Sequence, residues 1–227
     1  ANLDHCNMVL AELGHLANDV DLSSTDLKRA DDRVENLLGV SESLIGTIAD
    51  SGMQTADTPL VKAAVATAKQ VSDAFEQAIK RGEISESRLF DQSYREIAGS
   101  DPKQYLSAYL DFADRALPPI QNPVLRVDPR VVFAVSFAST GYLPTHNPDY
   151  SKPQGKDPGW NAVNCRNRRI FDDRCMKKAA ANAKSFLLQT YRRDMGAGNF
   201  MLMKDVSSPI IVNGRRWGVF RIGFRDK

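Results

Sequence analysis

The chain has 227 residues, 42% of them hydrophobic and 26% charged, so it can bury a core without disulfide or metal cross-links. Its 30 basic residues nearly balance 28 acidic ones, for a net charge of +2. This balance argues against a dedicated nucleic-acid-binding protein. The three cysteines, Cys6, Cys165 and Cys175, include no CxxC spacing, which argues against a disulfide framework or a cysteine-based zinc site.

Residues 1–118 have the pattern of a helical region, because apolar residues recur at three- and four-residue steps. A heptad seam with Ser41 as its polar interruption contains Leu27, Ala30, Val34, Leu37, Leu44, Ile45 and Ile48. Ser51-Gly52 is the predicted end of this helix. The seam fits either one face of a helical bundle or a dimerising coiled coil.

Two further helices are predicted in this half. Thr58-Pro59 provides a cap and a proline at the first helical position, and this helix should end near Gly82. Asp101-Pro102 followed by Gln104 predicts the start of a third helix that reaches Leu117.

The second half changes to the two-residue period of strands. Strands are predicted at 131–139 and 142–146, then helices from Asp157 to about Asp172 and over 175–184, then strands at 185–194, 199–207 and 215–224. Gly196 and Gly198 separate the first two of these last three strands, and Asn213-Gly214 is a strong hairpin signal between the other two. We therefore expect an α+β fold in which a helical stalk, residues 1–118, precedes a domain of residues 119–227. The domain should contain an antiparallel sheet with helices on one face.

Candidate ligand-binding residues cluster at 160–171. On a helix, Asn164 and Asn167 would share a face with Trp160, Val163, Ile170 and Phe171. Buried amides need hydrogen-bond partners, which could be backbone groups, water or a ligand. We predict that at least one of the two asparagines, Asn164 or Asn167, lines a ligand pocket, with structural amides that tie the helix to a loop as the alternative.

Basic residues are dense just after this point, with nine Lys or Arg and two Asp between 166 and 193. Arg166 or Arg168 could bind a small carboxylate in bidentate geometry, although a solvated basic face would give the same pattern. Tyr142 and His146 after the first strand, and Tyr191 on a later one, are further ligand-binding candidates. A metal site is not expected, because His146 has no second ligand at a suitable spacing.

No enzyme motif is present in the chain: there is no P-loop, GxGxxG, GxSxG or HExxH. We therefore predict a non-enzymatic protein without a cofactor. A hydrolase using His146, a non-covalent haem or flavin sensor, and an interaction module with a filled core are the alternatives.

Several segments resemble a sensor domain of bacterial methyl-accepting chemotaxis proteins. They are GYLPTHN (141–147), NCRNRRIFDDR (164–174), LLQTYRRDMGAG (187–198) and MKDVSSPIIVNGRRWG (203–218), and the likeness extends more loosely over about 85–225. The chain departs from the family at Ala134, Ser136 and Ala138, where members often carry cysteine and acidic residues, and at CMKKAA (175–180). The ligand therefore cannot be carried over from the family.

The resemblance implies a PAS/Cache-like domain that binds a small molecule and signals through helices to a dimeric signalling hairpin. It implies as partners a small-molecule ligand, a second copy of the chain and, through the rest of the receptor, the chemotaxis signalling proteins. The basic residues at 166–193 favour an anionic ligand, and the balanced net charge argues against nucleic acid. Cysteine usage and the lack of a targeting segment favour the cytoplasm, with a periplasmic sensor as the alternative.

Overall fold

The first element is a long helix, α1 (Asn2–Asp50), in a computed structural model that describes residues 2–50, 53–194 and 200–226. The predicted seam lies on α1, and most of its large apolar side chains are exposed, from 39% at Ile48 to 71% at Leu27. Exposed Leu13, Leu16 and Val20 continue the same spacing toward the N-terminus. The predicted stop at Ser51-Gly52 lies outside the described residues.

Helix α2 (Thr58–Lys80) begins at the predicted residue and ends two residues before Gly82, which has a φ of 71°. Six shorter elements follow α2 in the chain: α3 (Glu86–Leu89), the strand pair β1 (Arg95–Glu96) and β2 (Tyr105–Leu106), α4 (Leu110–Ala116), α5 (Pro118–Gln121) and a 3₁₀ turn (Asn122–Arg126).

The helix predicted from Asp101 is wrong over its first part. Residues 95–106 form a small hairpin instead, in which Arg95 pairs with Leu106 and Glu96 with Tyr105. The Ile97 amide donates to the Gln104 carbonyl at 2.8 Å, and the Tyr105 amide donates to the Arg168 carbonyl at 2.6 Å. These bonds use backbone groups that a helix would have used internally, so tertiary pairing overrides the local cap signal.

A four-stranded antiparallel sheet forms the centre of the second half. Its strands are β3 (Val131–Ala138), β6 (Leu187–Asp194), β7 (Phe200–Val212) and β8 (Arg215–Arg225), in the order β3-β8-β7-β6. The predicted strands and the β7–β8 hairpin are confirmed. Asn213 and Gly214 have φ values of 50° and 76°, the left-handed conformations that a tight type I′ turn requires. The predicted break at Gly196 and Gly198 lies outside the described residues.

Both faces of the sheet are covered. Helix α2 packs on β7 and β8 from one side. The other side is covered by the segment that contains β4 (Tyr142–Leu143), α6 (Pro158–Asn164), β5 (Arg169–Ile170) and α7 (Arg174–Ala181). The expectation of helices on one face is therefore wrong. The physical reason is that β8 is buried on both faces over Trp217–Phe224, as a central strand between two layers must be.

The chain divides into two compact units, residues 1–45 and 46–227, whereas the predicted boundary lies at 118/119. Because α2 contributes Leu60, Val71 and Phe75, all with no exposed surface, to the packing on the sheet, it belongs with the sheet. The helical pattern of residues 1–118 identified the secondary structure and could not reveal this packing.

Among the described residues, no helix combines the length and apolar character needed to cross a membrane.

An ion-pair network joins the start of α2 to the sheet. Asp57, just before α2, accepts hydrogen bonds from Arg130 Nη1 at 2.8 Å and from Lys204 Nζ on β7 at 3.0 Å. Arg130 also pairs with Asp128 at 2.9 Å. The Asp57 side chain is 11% exposed, so these pairs are poorly screened by water.

Candidate functional site

A β-bulge decides which side chains of the β7–β8 hairpin share a face. Next to the turn, Val212 pairs with Arg215 and Ile211 with Arg216, but Ile210 pairs with Gly218. Trp217 is the extra residue, and it shifts every later pair by one position. In the shifted register Arg221 lies opposite Ser207, and a one-residue shift moves a side chain to the other face. Asp205 and Arg221 therefore lie on the same face of the sheet.

These two residues form a buried ion pair. Arg221 Nε donates to Asp205 Oδ2 at 3.0 Å and to Oδ1 at 3.2 Å, and Nη2 lies 3.0 Å from Oδ2. The side chains are 4% and 0% exposed. Burial on its own would lower the pKa of Arg221, but attraction to Asp205 outweighs it and raises that pKa, so the guanidinium is charged.

A cavity of about 50 Å³ opens beside Arg221, between the sheet and the covering segment. This is room for a few water-sized groups, well above the 10–15 Å³ or so that one water requires. Its lining is aromatic and aliphatic with a few charged or polar groups, namely Phe133, Val135, Phe137, Leu143, His146, Arg166, Phe171, Asp173, Tyr191 and Arg221.

The floor of the cavity is apolar because side chains alternate along β3. Phe133, Val135 and Phe137 point to the cavity face, whereas Ala134 and Ser136 point to the α2 face. Gly223 makes room for the ring of Phe133, since a Cβ atom at Gly223 would lie 2.1 Å from that ring. The predicted first strand thus supplies the wall that an apolar part of a ligand would contact.

Guanidinium groups stack on the aromatic lining. The Arg221 Cζ atom lies 5.1 Å from the centre of the Phe137 ring, and Arg166 Cζ lies 5.0 Å from that of Phe171. Arg221 Nη1 has a thioether sulfur, Met176 Sδ at 3.7 Å, as its hydrogen-bond acceptor. Sulfur is a weak acceptor, so this buried donor would gain from a stronger one such as a carboxylate oxygen.

Arg169 provides a natural comparison for Arg166. Its Cζ lies 5.1 Å from the same Phe171 ring, and its Nη1 donates to the Ala162 carbonyl, as Arg166 Nη1 also does. Only Arg166 of the two lines the cavity. The two arginines thus share a ring and a carbonyl acceptor but differ in whether they line the space where a ligand would bind.

Three of the predicted ligand-binding residues, His146, Arg166 and Tyr191, meet at this cavity. His146 is 5% exposed, and its Nδ1 accepts a hydrogen bond from the Asn147 amide at 2.7 Å, which places the proton of the neutral ring on Nε2. Tyr191 lies opposite Met203 on the neighbouring strand and donates to its sulfur at 3.8 Å.

The other four predicted residues lie elsewhere. For Asn164, Asn167 and Arg168 the reason is that the helix predicted to reach Asp172 ends at Asn164. Arg168 adopts a φ of 62°, a left-handed conformation that no helix interior allows, and the chain then enters β5. The shared helical face inferred for Asn164 and Asn167 therefore does not exist. Asn164 Nδ2 donates to the Trp160 carbonyl, and Asn167 Oδ1 accepts from Gln104 Nε2 at 3.3 Å.

Tyr142 and Arg168 lie in a second polar cluster. Tyr142 stacks on Tyr94 with ring centres 4.6 Å apart and donates its hydroxyl to the Tyr105 carbonyl. Arg168 Nη2 lies 3.4 Å from Asp114 Oδ2. Burial raises the pKa of Tyr142 to about 12. Neither residue lines the cavity.

Sequence reasoning missed Arg221, Asp173 and Phe171 as lining residues. Two features of the sequence could have indicated the buried pair. They are the single arginine between Phe220 and Ile222 on a predicted strand, and Asp205 on the neighbouring predicted strand. An unbulged register from the Asn213-Gly214 turn, however, would have placed Asp205 and Arg221 on opposite faces.

Within residues 2–50, 53–194 and 200–226, no group of three or more His, Cys, Asp or Glu side chains could hold a metal ion. Comparison with models of known protein families gives no match, and neither does comparison with curated protein sequences.

Proposed function

We propose that the chain is a sensory module of a chemotaxis receptor and binds a small anionic metabolite in the cavity beside Arg221, without catalysis. The observation that supports this most is the combination of two cationic groups, Arg166 and Arg221, with an apolar aromatic wall in one space. Pockets for small molecules have this composition: mostly apolar surface with a few polar groups that fix orientation. The resemblance of segments 141–147, 164–174, 187–198 and 203–218 to chemoreceptor sensor domains supports the same function.

Binding would change the state of the segment that covers the cavity. Arg166, Phe171 and Asp173 come from this segment, whereas Phe133, Phe137 and Arg221 come from the sheet. A ligand that contacts both parts favours the conformation in which they are close, and such differential contact is the requirement for a signal. A coupling of about 1–3 kcal/mol is enough for a receptor-sized response.

The exposed stripe on α1 supports a homodimer as the signalling form. Leu13, Val20, Leu27, Val34 and Ile48 lie at multiples of seven residues, and Ser41 completes the series. Each of the five apolar side chains is at least 39% exposed. A second α1 helix would bury this stripe as a coiled coil. Sedimentation equilibrium should give twice the chain mass, and a monomer at micromolar concentration would contradict this part of the proposal.

In the proposed receptor, the remaining regions contact the chemotaxis signalling proteins. The free thiols of Cys165 and Cys175 suit a reducing cytoplasm.

The test uses propanoate as the probe and isothermal titration as the measurement. Arg166→Gln should weaken propanoate binding at least about tenfold, a loss of about 1.4 kcal/mol. Arg169→Gln is the matched control, because it removes a guanidinium from the same ring without changing the cavity lining, and it should leave the affinity within about twofold. Equal effects of the two substitutions, or no binding of propanoate to the unmodified chain, would disprove the proposed site.

A further inference from the structure

We infer that the cavity selects ligands with one negative charge, no positive charge and an apolar body, so that monocarboxylates bind while dicarboxylates and amino acids of equal size do not. This inference rests on the proposed function and specifies its ligand class. It follows from the positions of four charged groups, Arg166, Asp173, Asp205 and Arg221.

The charge of Arg221 is already largely neutralised. The Asp205 carboxylate accepts hydrogen bonds from Arg221 Nε and lies within 3.2 Å of both Nε and Nη2. The Nη1 group of Arg221 is left on the cavity side, and its hydrogen-bond acceptor is the sulfur of Met176. One carboxylate oxygen placed there would accept a charge-assisted hydrogen bond in a site shielded from water. Arg166 is the other cation in the lining and can hold the second oxygen of the same carboxylate.

A second carboxylate would find unfavourable surroundings. Apart from the two arginines, only His146 and Tyr191 in the lining carry a side-chain hydrogen-bond donor, and the Tyr191 hydroxyl already donates to Met203 Sδ. The rest of the lining is mostly the apolar side chains of Phe133, Val135, Phe137, Leu143 and Phe171. An ionised group buried against such surface loses its hydration without replacement. Asp173 at the edge of the cavity adds a repulsive negative charge.

An ammonium group is also disfavoured, although Asp173 could attract one. Asp173, whose Oδ1 accepts from the Met176 amide at 2.9 Å, would attract an ammonium as strongly as it repels a carboxylate at the same place, but the two guanidinium groups in the lining oppose this attraction. The faces of Phe137 and Phe171, which could otherwise bind a cation, are covered by the guanidinium groups of Arg221 and Arg166. A ligand ammonium would therefore lie close to two guanidinium groups, which offer it no hydrogen-bond acceptor.

The experiment measures affinity by isothermal titration of the full chain with pairs of probes that match in size and shape. Propanedioate is paired with 3-methylbutanoate, alanine with 2-methylpropanoate, and propanamide with propanoate. Within each pair, the monocarboxylate without an amine should bind at least about tenfold more tightly.

Asp173→Asn tests the repulsion directly, because asparagine is an equally good helix cap. This variant should narrow the difference between propanedioate and 3-methylbutanoate at least about threefold, which corresponds to about 0.7 kcal/mol. An unchanged difference would contradict the role assigned to Asp173.

The outcomes separate the inference from the proposed function. If propanedioate or alanine binds as tightly as its partner probe, charge selection is wrong while anion binding stands. If propanamide binds as tightly as propanoate, the cavity does not select for charge and the inference is overturned. If none of the carboxylates binds, the proposed function itself fails.

Discussion

The two faces of the central sheet differ in how they are filled. On the α2 face, Val206, Ile210 and Phe220 have no exposed surface and lie under the apolar side of α2, whose start is held by the Asp57 ion pairs. On the opposite face, the same strands present Asp205 and Arg221 beside a cavity. The cavity face also has a packed part, where Phe137, Met203 and Val219 cluster with Met176 and Ala179 of α7. Both faces therefore contribute to stability, and the cavity face in addition keeps a buried ion pair beside an open space. The predictions below test this division.

The largest effect is expected on the α2 face. Phe75 has no exposed surface and contacts Trp217 and Phe112 with ring centres 4.9 and 5.4 Å away. Phe75→Ala should lower the free energy of unfolding by about 4 kcal/mol, measured by urea denaturation, while the folded variant binds propanoate as before. Val65→Ala, on the exposed side of the same helix, is the control and should cost less than about 0.5 kcal/mol. A loss of propanoate affinity in folded Phe75→Ala would mean that the two faces are not independent.

The buried pair of Asp205 and Arg221 should matter more for ligand binding than for the stability of the fold. Asp205→Leu leaves Arg221 buried without its carboxylate and should cost about 3 kcal/mol. Adding Arg221→Met replaces the pair by apolar groups, which should restore most of that loss and abolish propanoate binding. If the double variant still binds propanoate, Arg221 does not belong to the binding site.

The network at the start of α2 should matter for stability alone. Asp57→Asn removes the charge that holds Arg130 and Lys204, and we expect a cost of about 2 kcal/mol by thermal or urea unfolding. Asp73→Asn breaks the exposed pair between Lys69 and Asp73, which at 2.6 Å is even shorter than the Asp57 pairs, and should cost less than about 0.5 kcal/mol. Equal costs for the two variants would show that burial does not strengthen the Asp57 pairs.

The smallest effect is expected at Tyr142. Its pKa is raised from 10.0 to about 12 by burial, so the unfolded chain loses this proton before the folded one does. The stability it contributes is present below pH 10 and is lost as the pH rises toward 12. Tyr142→Phe should cost about 1 kcal/mol at neutral pH through its lost hydrogen bond and should make the decline between pH 10 and 12 shallower. An identical pH profile in the variant would assign the decline to other groups.

The sequence predicted the parts of the fold that depend on neighbouring residues. The start of α2 at Thr58-Pro59, the strand β3 and the turn at Asn213-Gly214 each follow from local conformational preferences. The helix predicted to reach Asp172 ended early, because the left-handed Arg168 and the pairing of β5 with β4 are set by contacts distant in sequence.

The candidate site was predictable only in part for the same reason. His146, Arg166 and Tyr191 were found from composition, but Arg221 required the register of β7 and β8. That register depends on the bulge at Trp217, whose indole donates to the Leu89 carbonyl at 3.1 Å. A contact 128 residues away in the chain thus helps to decide whether Asp205 and Arg221 lie on the same face of the sheet.

The most direct measurement is a crystal structure of the full chain with 3-bromopropanoate, whose bromine can be located by anomalous scattering. The expected result is a bromine peak against Phe133 and Val135 with the carboxylate between Arg166 and Arg221. A cavity without bromine, or a carboxylate bound away from both arginines, would contradict the account.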